Sequence, residues 1–294
     1  MSRISLRDLL DSKETIFTAG AGDALTAKLI QDTPGIDGIL SSGFAISAQL
    51  LARPDVELYT RSDNVYAVRN MCSVIQKPLI ADIDTGYGNA VSVIHSVHEF
   101  ERAGVSGVII EDQISPKRCP ICVDETNNIL PLEESVGKIR AAAENKLYKD
   151  TVIIARTDAT QFDEAVRRAK AYYEAGADLV QPISRTITSK EEAKRFVEAV
   201  NCPVSLVIVG WLENLSVEDI REIGPKVAHF ALATVTATHA AVKNVLATIG
   251  ENQSSVGTNS VRTPHGEIVN FLGMKQISEL EEKYLPSEKE LFTK

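Results

Sequence analysis

Short apolar runs of strand type alternate with longer segments of helical period along most of the chain, and this alternation restricts the fold more than any other feature. Strands are predicted at 15–19, 38–41, 78–82, 105–111, 152–155, 178–181, 204–209 and 227–231. Helices are predicted at 24–31, 62–75, 90–103, 132–145, 163–175, 190–200, 216–223 and 236–248. Several of them stop at a residue that tolerates left-handed geometry, as in Ala103-Gly104, Ala175-Gly176-Ala177 and Ile223-Gly224-Pro225. Eight such units with no internal boundary predict an α/β fold, a (β/α)8 TIM barrel, over an open doubly wound sheet. A barrel takes roughly 250 residues. The chain has 294, so we expect one barrel domain, 1–294, with 250–294 as a C-terminal helical extension. That tail is polar up to Ile268 and helical again at 275–284. An appendage of this kind suits packing on a neighbouring subunit, and an oligomer is expected.

Composition narrows the partners. With 31 basic against 40 acidic side chains, a formal charge of −9 and no run of Lys or Arg, the chain lacks the basic stripe that nucleic acid demands. No apolar stretch approaches the roughly 18 residues that span a bilayer, and the first residues do not read as a secretory leader, so a cytoplasmic protein is expected. Cys72, Cys119, Cys122 and Cys202 are too few for a disulfide scaffold.

A barrel builds its active site at the carboxyl ends of its strands. Asp82 and Asp84 close the third strand and Glu111 with Asp112 the fourth. Residues two apart on a strand face the same way, so both aspartates can point at one ion. Hard carboxylate oxygens suit Mg2+ or Mn2+ rather than zinc, although solvated acids at strand ends would look the same. Ser41-Ser42-Gly43, ending the second strand, offers a hydroxyl and backbone N–H groups for a carboxylate or oxyanion, or is simply a turn. Arg156 ends the fifth strand and is either a clamp on a substrate carboxylate or a surface ion-pair partner. After the fourth strand, 113–130 has no periodicity, and loops of that length are usually lids or binding loops. It contains Lys117-Arg118-Cys119-Pro120-Ile121-Cys122. The CxxC pair lacks two further ligands for zinc, whereas a thiol flanked by two cations ionises easily and can move a proton. His95 and His98 read as helix-face residues.

Taken together, Ser42-Gly43-Phe44, the stretch from Asp82 to Asn89 (DIDTGYGN), Glu111-Asp112-Gln113, Lys117-Arg118-Cys119 and the stretch from Ala155 to Ala159 (ARTDA) resemble the isocitrate lyase and phosphoenolpyruvate mutase superfamily. The likeness runs over roughly 15–285. It implies a barrel whose last helix is exchanged between subunits, in a homodimer or homotetramer. It also implies Mg2+ near Asp82, Asp84 and Glu111, with Asp82 the most direct ligand and the other two holding metal-bound waters. Ser42, Gly43 and Phe44 would bind the substrate carboxylate, with Asp55 matching a further acidic position of the lyases, Arg118 part of the substrate-binding set and Arg156 a clamp. Lys117 is carried over with the catalytic motif, and Cys119 would protonate the departing carbanion.

The sequence departs from both branches. Pro120-Ile121 stands where the lyases carry Gly-His, their glutamate after the sixth strand is replaced within Gln181-Pro182-Ile183-Ser184, and Ile39 takes the place of a tyrosine. The mutases carry Glu-Asp-Lys and a later Asn-Ser, where Gln113 and Cys119-Pro120 stand here. The segment from Ser42 to Ala48 and 183–215 lean toward the mutases and phosphonopyruvate hydrolases. The expected activity is a Mg2+-dependent carbon–carbon lyase acting on a small 2-hydroxy or 2-oxo di- or tricarboxylate of the dimethylmalate or methylisocitrate type, through an enolate-like intermediate. The alternatives are a phosphonate enzyme acting on a C–P bond and a barrel that has lost catalysis.

Overall fold

The computed structural model describes residues 4–119 and 128–286. Eight strands alternate with helices as the sequence predicts: β1 (Ile16–Ala21), β2 (Gly38–Ser41), β3 (Leu79–Asp82), β4 (Gly107–Glu111), β5 (Val152–Thr157), β6 (Leu179–Pro182), β7 (Ser205–Val207) and β8 (Val227–Phe230). All pair in parallel, in the order β6-β5-β4-β3-β2-β1-β8-β7. A parallel bridge between Val180 and Val204 joins the two outer strands and closes the (β/α)8 barrel.

The helices are α1 (Leu6–Ser12), α2 (Ala24–Asp32), α3 (Gly43–Leu51), α4 (Arg61–Cys72), α5 (Ala90–Ala103), α6 (Leu132–Asn145), α7 (Phe162–Glu174), α8 (Lys190–Val200), α9 (Val217–Ile223), α10 (Ala233–Asn252), α11 (His265–Phe271) and α12 (Met274–Tyr284). The sequence reading missed α1, α3 and α11. For α3 the reason is local. It opens on Ser42-Gly43, which looks like a turn, yet the Ser42 hydroxyl accepts from the Ala45 N–H at 3.3 Å and caps the helix. Gly43 is required there, since a Cβ would lie 2.9 Å from the Tyr59 hydroxyl and 3.3 Å from Asp82 Oδ2. Gly104 and Gly224, both at positive φ, end α5 and α9 as expected.

Strand alternation divides the apolar core into two shells. Ile39, Leu79, Val108, Ile110 and Ile153 face outward and pack with Phe100, Ile139, Tyr172 and Phe196 of the helices. The residues between them, Leu40, Ile80, Ile109 and Ile154, join Ile16, Leu179 and Val227 in the barrel interior. Polar residues share that interior too: the Thr18 hydroxyl and His229 Nδ1 lie 2.5 Å apart, both fully buried.

By contact the chain falls into two compact units, 1–236 and 237–294. The second takes in α10 from Ala237 onward together with α11 and α12, and leaves Val242, Leu246, Ile277 and Leu280 exposed. No described helix is long and apolar enough to cross a membrane.

Burial pushes the His229 imidazole down from its ordinary 6.5 to about 3. Between those values the unfolded chain binds a proton that the folded chain refuses, so His229 contributes stability above about pH 6.5 that is lost as the pH falls toward 3. Urea unfolding at about pH 7.5 and pH 5 should therefore show a larger loss for the wild type than for His229→Gln. Equal losses in the two proteins would contradict this assignment.

Candidate active site

The alternation that fills the interior also aims the site. Two residues beyond Ile80, Ile109, Ile154 and Leu179 come Asp82, Glu111, Arg156 and Gln181, on the inward face at the carboxyl ends of β3 to β6. Asp112, one residue past Glu111, turns the other way. It accepts from the Tyr172 hydroxyl at 2.6 Å, the Thr157 hydroxyl at 2.8 Å and Arg168 NH1 at 3.1 Å. It is a structural anchor behind the site.

Asp82 and Asp84 do not sit side by side on a strand, as the spacing suggested. The strand ends at Asp82, and Asp84 lies in the following turn at φ 54°. There it is fully buried, accepting from Lys117 Nζ at 2.6 Å, the Tyr59 hydroxyl at 3.0 Å and the Tyr87 hydroxyl at 2.8 Å. Burial raises its pKa to about 6, against the pull of Lys117. Lys117 also reaches Asp55 Oδ2 at 3.1 Å. For its ammonium, burial acts to lower the pKa and is outweighed by Asp84, Glu111, Asp55 and Asp82, so it stays charged.

Arg156 is neither a surface partner nor an unengaged clamp. Its guanidinium grips Asp158 through Nε at 2.7 Å and NH2 at 2.9 Å, and meets Glu111 Oε2 through NH1 at 2.7 Å. A guanidinium has five N–H donors, so two remain for a ligand. Gln113 extends the network: its side-chain N–H donates to Asp158 at 2.7 Å, and its carbonyl oxygen accepts from the Arg118 backbone N–H at 2.8 Å.

A cavity of about 90 Å3 opens between these groups. Ser42, Phe44, Asp55, Asp82, Cys119 and Arg156 line it on one side. The opposite wall is largely apolar, with Ile183, Val207, Val209, Ala231 and Leu232 beside Gln181 and Ser184. Cys119 is 5% exposed. Of the two cations that flank it in sequence, the Lys117 ammonium lies between two carboxylates, and Arg118 is exposed and does not line the cavity. Pro120, Ile121 and Cys122 lie outside the described residues. His98 bonds the Asn145 carbonyl on the helical layer, in keeping with a helix-face role.

Among the described residues no three His, Cys, Asp or Glu side chains converge as direct ligands of a metal ion. Asp84 is spent on Lys117 and two tyrosines, and one edge of Glu111 on Arg156. The donor set still fits a hard divalent cation held largely through water. Asp55, Asp82, Asp84, Glu111 and Asp158 gather around Lys117 and Arg156, and burial holds Glu111 well above the usual carboxylate range despite Arg156. Asp55 Oδ1 and Glu111 Oε1 are buried without a hydrogen-bond partner. Orphaned carboxylate oxygens in excess of cations are what Mg2+ or Mn2+ satisfies, with waters completing its shell. Tyr59, Glu57 and Leu232 were not legible as site residues. The part played by Asp158 was within reach, since it lies two residues after Arg156.

Comparison with known proteins places this geometry. The phosphoenolpyruvate phosphomutase family model matches residues 6–250. The chain is 33% identical over 284 residues to 2,3-dimethylmalate lyase of Eubacterium barkeri, covering 95% of this chain and 96% of the lyase. It is 34% identical over 289 residues to phosphonopyruvate hydrolase of Variovorax sp. strain Pal2, covering 96% and 98%. A crystal structure of phosphonopyruvate hydrolase in complex with oxalate and Mg2+ superimposes with a TM-score of 0.87 at 33% identity, over 96% of this chain and 98% of that one. The chain therefore belongs to the phosphoenolpyruvate phosphomutase family, within the isocitrate lyase and phosphoenolpyruvate mutase superfamily of enzymes.

Proposed function

We propose that this enzyme is a Mg2+- or Mn2+-dependent lyase that breaks a carbon–carbon bond in a small 2-hydroxy or 2-oxo dicarboxylate carrying an apolar substituent, of the dimethylmalate type. The observation that carries this reading is the position of Cys119, a buried proton donor in the wall that also holds Asp82 and Arg156. The apolar opposite wall supports the substituent. Arg156 is the one cation among the described residues lining the cavity, so a third carboxylate or a phosphono dianion on the far side would be buried with no cation among those residues to meet it.

In this reading Ser42 and the N–H groups of Gly43 and Phe44, which open α3 and have no acceptor within it, bind the carboxylate next to the reacting carbon. The remaining N–H groups of Arg156 bind the same end. Asp55 Oδ1, buried and unpartnered, accepts the proton of the 2-hydroxyl. The C2–C3 bond then breaks, C2 becomes the carbonyl of a 2-oxo acid, and the electron pair stays on C3 beside the distal carboxylate. Cys119 delivers a proton to C3, solvent reprotonates the thiolate, and Asp55 gives up the hydroxyl proton to solvent. A cation held by Asp82, and through water by Asp84 and Glu111, would supply Lewis-acid stabilisation of the negative charge on the substrate oxygen. The magnesium in the oxalate complex of the hydrolase supports this choice.

We also propose that the chain is a homodimer or homotetramer that exchanges its last helix. The exposed Val242 and Leu246 of α10 support this, as does a groove on the first unit where Phe17, Ile36, Leu215, Val217 and Phe230 lie among Lys13, Glu14, Asp37 and Arg221.

With Mg2+ present, 2,3-dimethylmalate should be cleaved to pyruvate faster than methylisocitrate, oxaloacetate or phosphonopyruvate, as read by product identification. Preferred turnover of phosphonopyruvate would move the assignment to C–P chemistry. Chelation by EDTA should abolish cleavage, and added Mg2+ or Mn2+ should restore it. Cys119→Ser should lower kcat by about 10²- to 10⁴-fold, the usual contribution of a positioned acid, with little change in KM. Unaltered turnover in that variant would remove Cys119 from the mechanism.

A further inference from the structure

Glu57 is named by no motif of the family resemblance, yet its carboxylate ties two parts of the site together. It lies between α3 and α4 at φ 57°, a left-handed conformation that non-glycine residues seldom adopt. One oxygen accepts from the Ser115 hydroxyl at 2.6 Å and from the Lys117 backbone N–H at 2.9 Å. The other accepts from the Thr85 hydroxyl at 3.0 Å. Thr85 is fully buried and directly follows Asp84. Two residues before Glu57, Asp55 holds the same segment twice more, its carboxylate on Lys117 Nζ at 3.1 Å and its carbonyl on the Cys119 N–H at 3.2 Å.

We infer that Glu57 is a positioning residue: it fastens residues 115–119 to the Thr85 turn and so keeps the Lys117 ammonium between Asp55 and Asp84. Lys117 is then held at both ends, its backbone by Glu57 and its side chain by the two aspartates. Without the Glu57 acceptor the backbone end is released, and a segment that draws away from Asp55 and the Thr85 turn exposes the Cys119 that it carries into the cavity lining. An ordinary solvated loop acid would not gather three donors from two separate segments. Each donor is neutral and the acceptor is charged, so losing all of them shifts the balance toward the withdrawn state by at least about tenfold.

The inference deepens the reading of the site given above, but its first test needs no substrate. Alkylation of Cys119 by a small thiol reagent, followed residue by residue by mass spectrometry, reports withdrawal directly. Cys72, buried in the helical layer, is the internal reference for an intact barrel. Glu57→Ala should label at Cys119 at least about tenfold faster than the wild type with Cys72 unchanged, and Glu57→Gln, which keeps one acceptor oxygen, should fall between them. Ser115→Ala and Thr85→Val each remove one donor and keep the carboxylate, so each should give a smaller acceleration, and they serve if Glu57→Ala fails to fold. In the kinetic test kcat/KM should fall at least about tenfold in Glu57→Ala and recover partly in Glu57→Gln. Labelling and kcat/KM that match the wild type in these variants would overturn the inference. The expected labelling pattern without lyase turnover in any protein, wild type included, would overturn the proposed reaction and leave the fastening role intact.

Discussion

The burial of the Lys117 ammonium between Asp55 and Asp84 is the interaction around which the site is arranged. A charge taken out of water is stable only where its partners are close and themselves satisfied, and removing one partner of such a set costs about 3–5 kcal/mol. Asp84 meets this condition through Lys117, Tyr59 and Tyr87, and Asp55 is held to Lys117 directly. The lysine is not on the barrel proper. It is delivered by the segment after β4, so the carboxylates at the strand ends and the fold of 113–119 depend on each other. Gln113 on Asp158 and the Cys119 N–H on the Asp55 carbonyl follow from the same placement.

The second constraint is strand alternation, and it explains which parts of the molecule were legible in the sequence. Apolar pairs such as Ile39-Leu40 and Leu79-Ile80 divide between helical layer and interior, and this predicts both the eight strands and the direction of Asp82, Glu111 and Arg156. The same rule separates Glu111 from Asp112, a distinction that composition does not make. It fails where the chain leaves the strand. Asp84 has the spacing of a strand residue but lies in a turn with positive φ, so its oxygens point at tyrosines rather than beside Asp82. Helix α3 was hidden for the opposite reason: Ser42-Gly43 has the composition of a turn, and only the closeness of Tyr59 and Asp82 shows why glycine begins a helix there.

Contacts between distant loops were the least legible. Nothing near Glu57 in the sequence indicates that Ser115 and Lys117 will reach it, because the pairing follows from how the loops after β2 and β4 meet over the barrel mouth. Arg156 was correctly placed at the mouth, but its engagement by Asp158 and Glu111 was not foreseen. That engagement matters chemically. A guanidinium held on two sides presents its remaining donors in a fixed direction, so less order is lost when an anion binds.

Charge balance then links site and substrate. The buried carboxylates exceed the buried cations, and the protein can meet the difference by protonating Asp84 and Glu111 or by binding a divalent ion. The raised pKa values describe the first state. An ion would release those protons and leave a site whose net charge is closer to neutral, facing a cavity with, among the described residues, a single guanidinium in its lining. Among the described residues such a site offers one guanidinium for one end of the dianionic acid proposed above, and no second cation beside Val207, Val209 and Leu232. A carbanion formed beside those apolar residues would be poorly solvated, and the proton proposed to reach it comes from within the cavity, whose lining includes the Cys119 thiol.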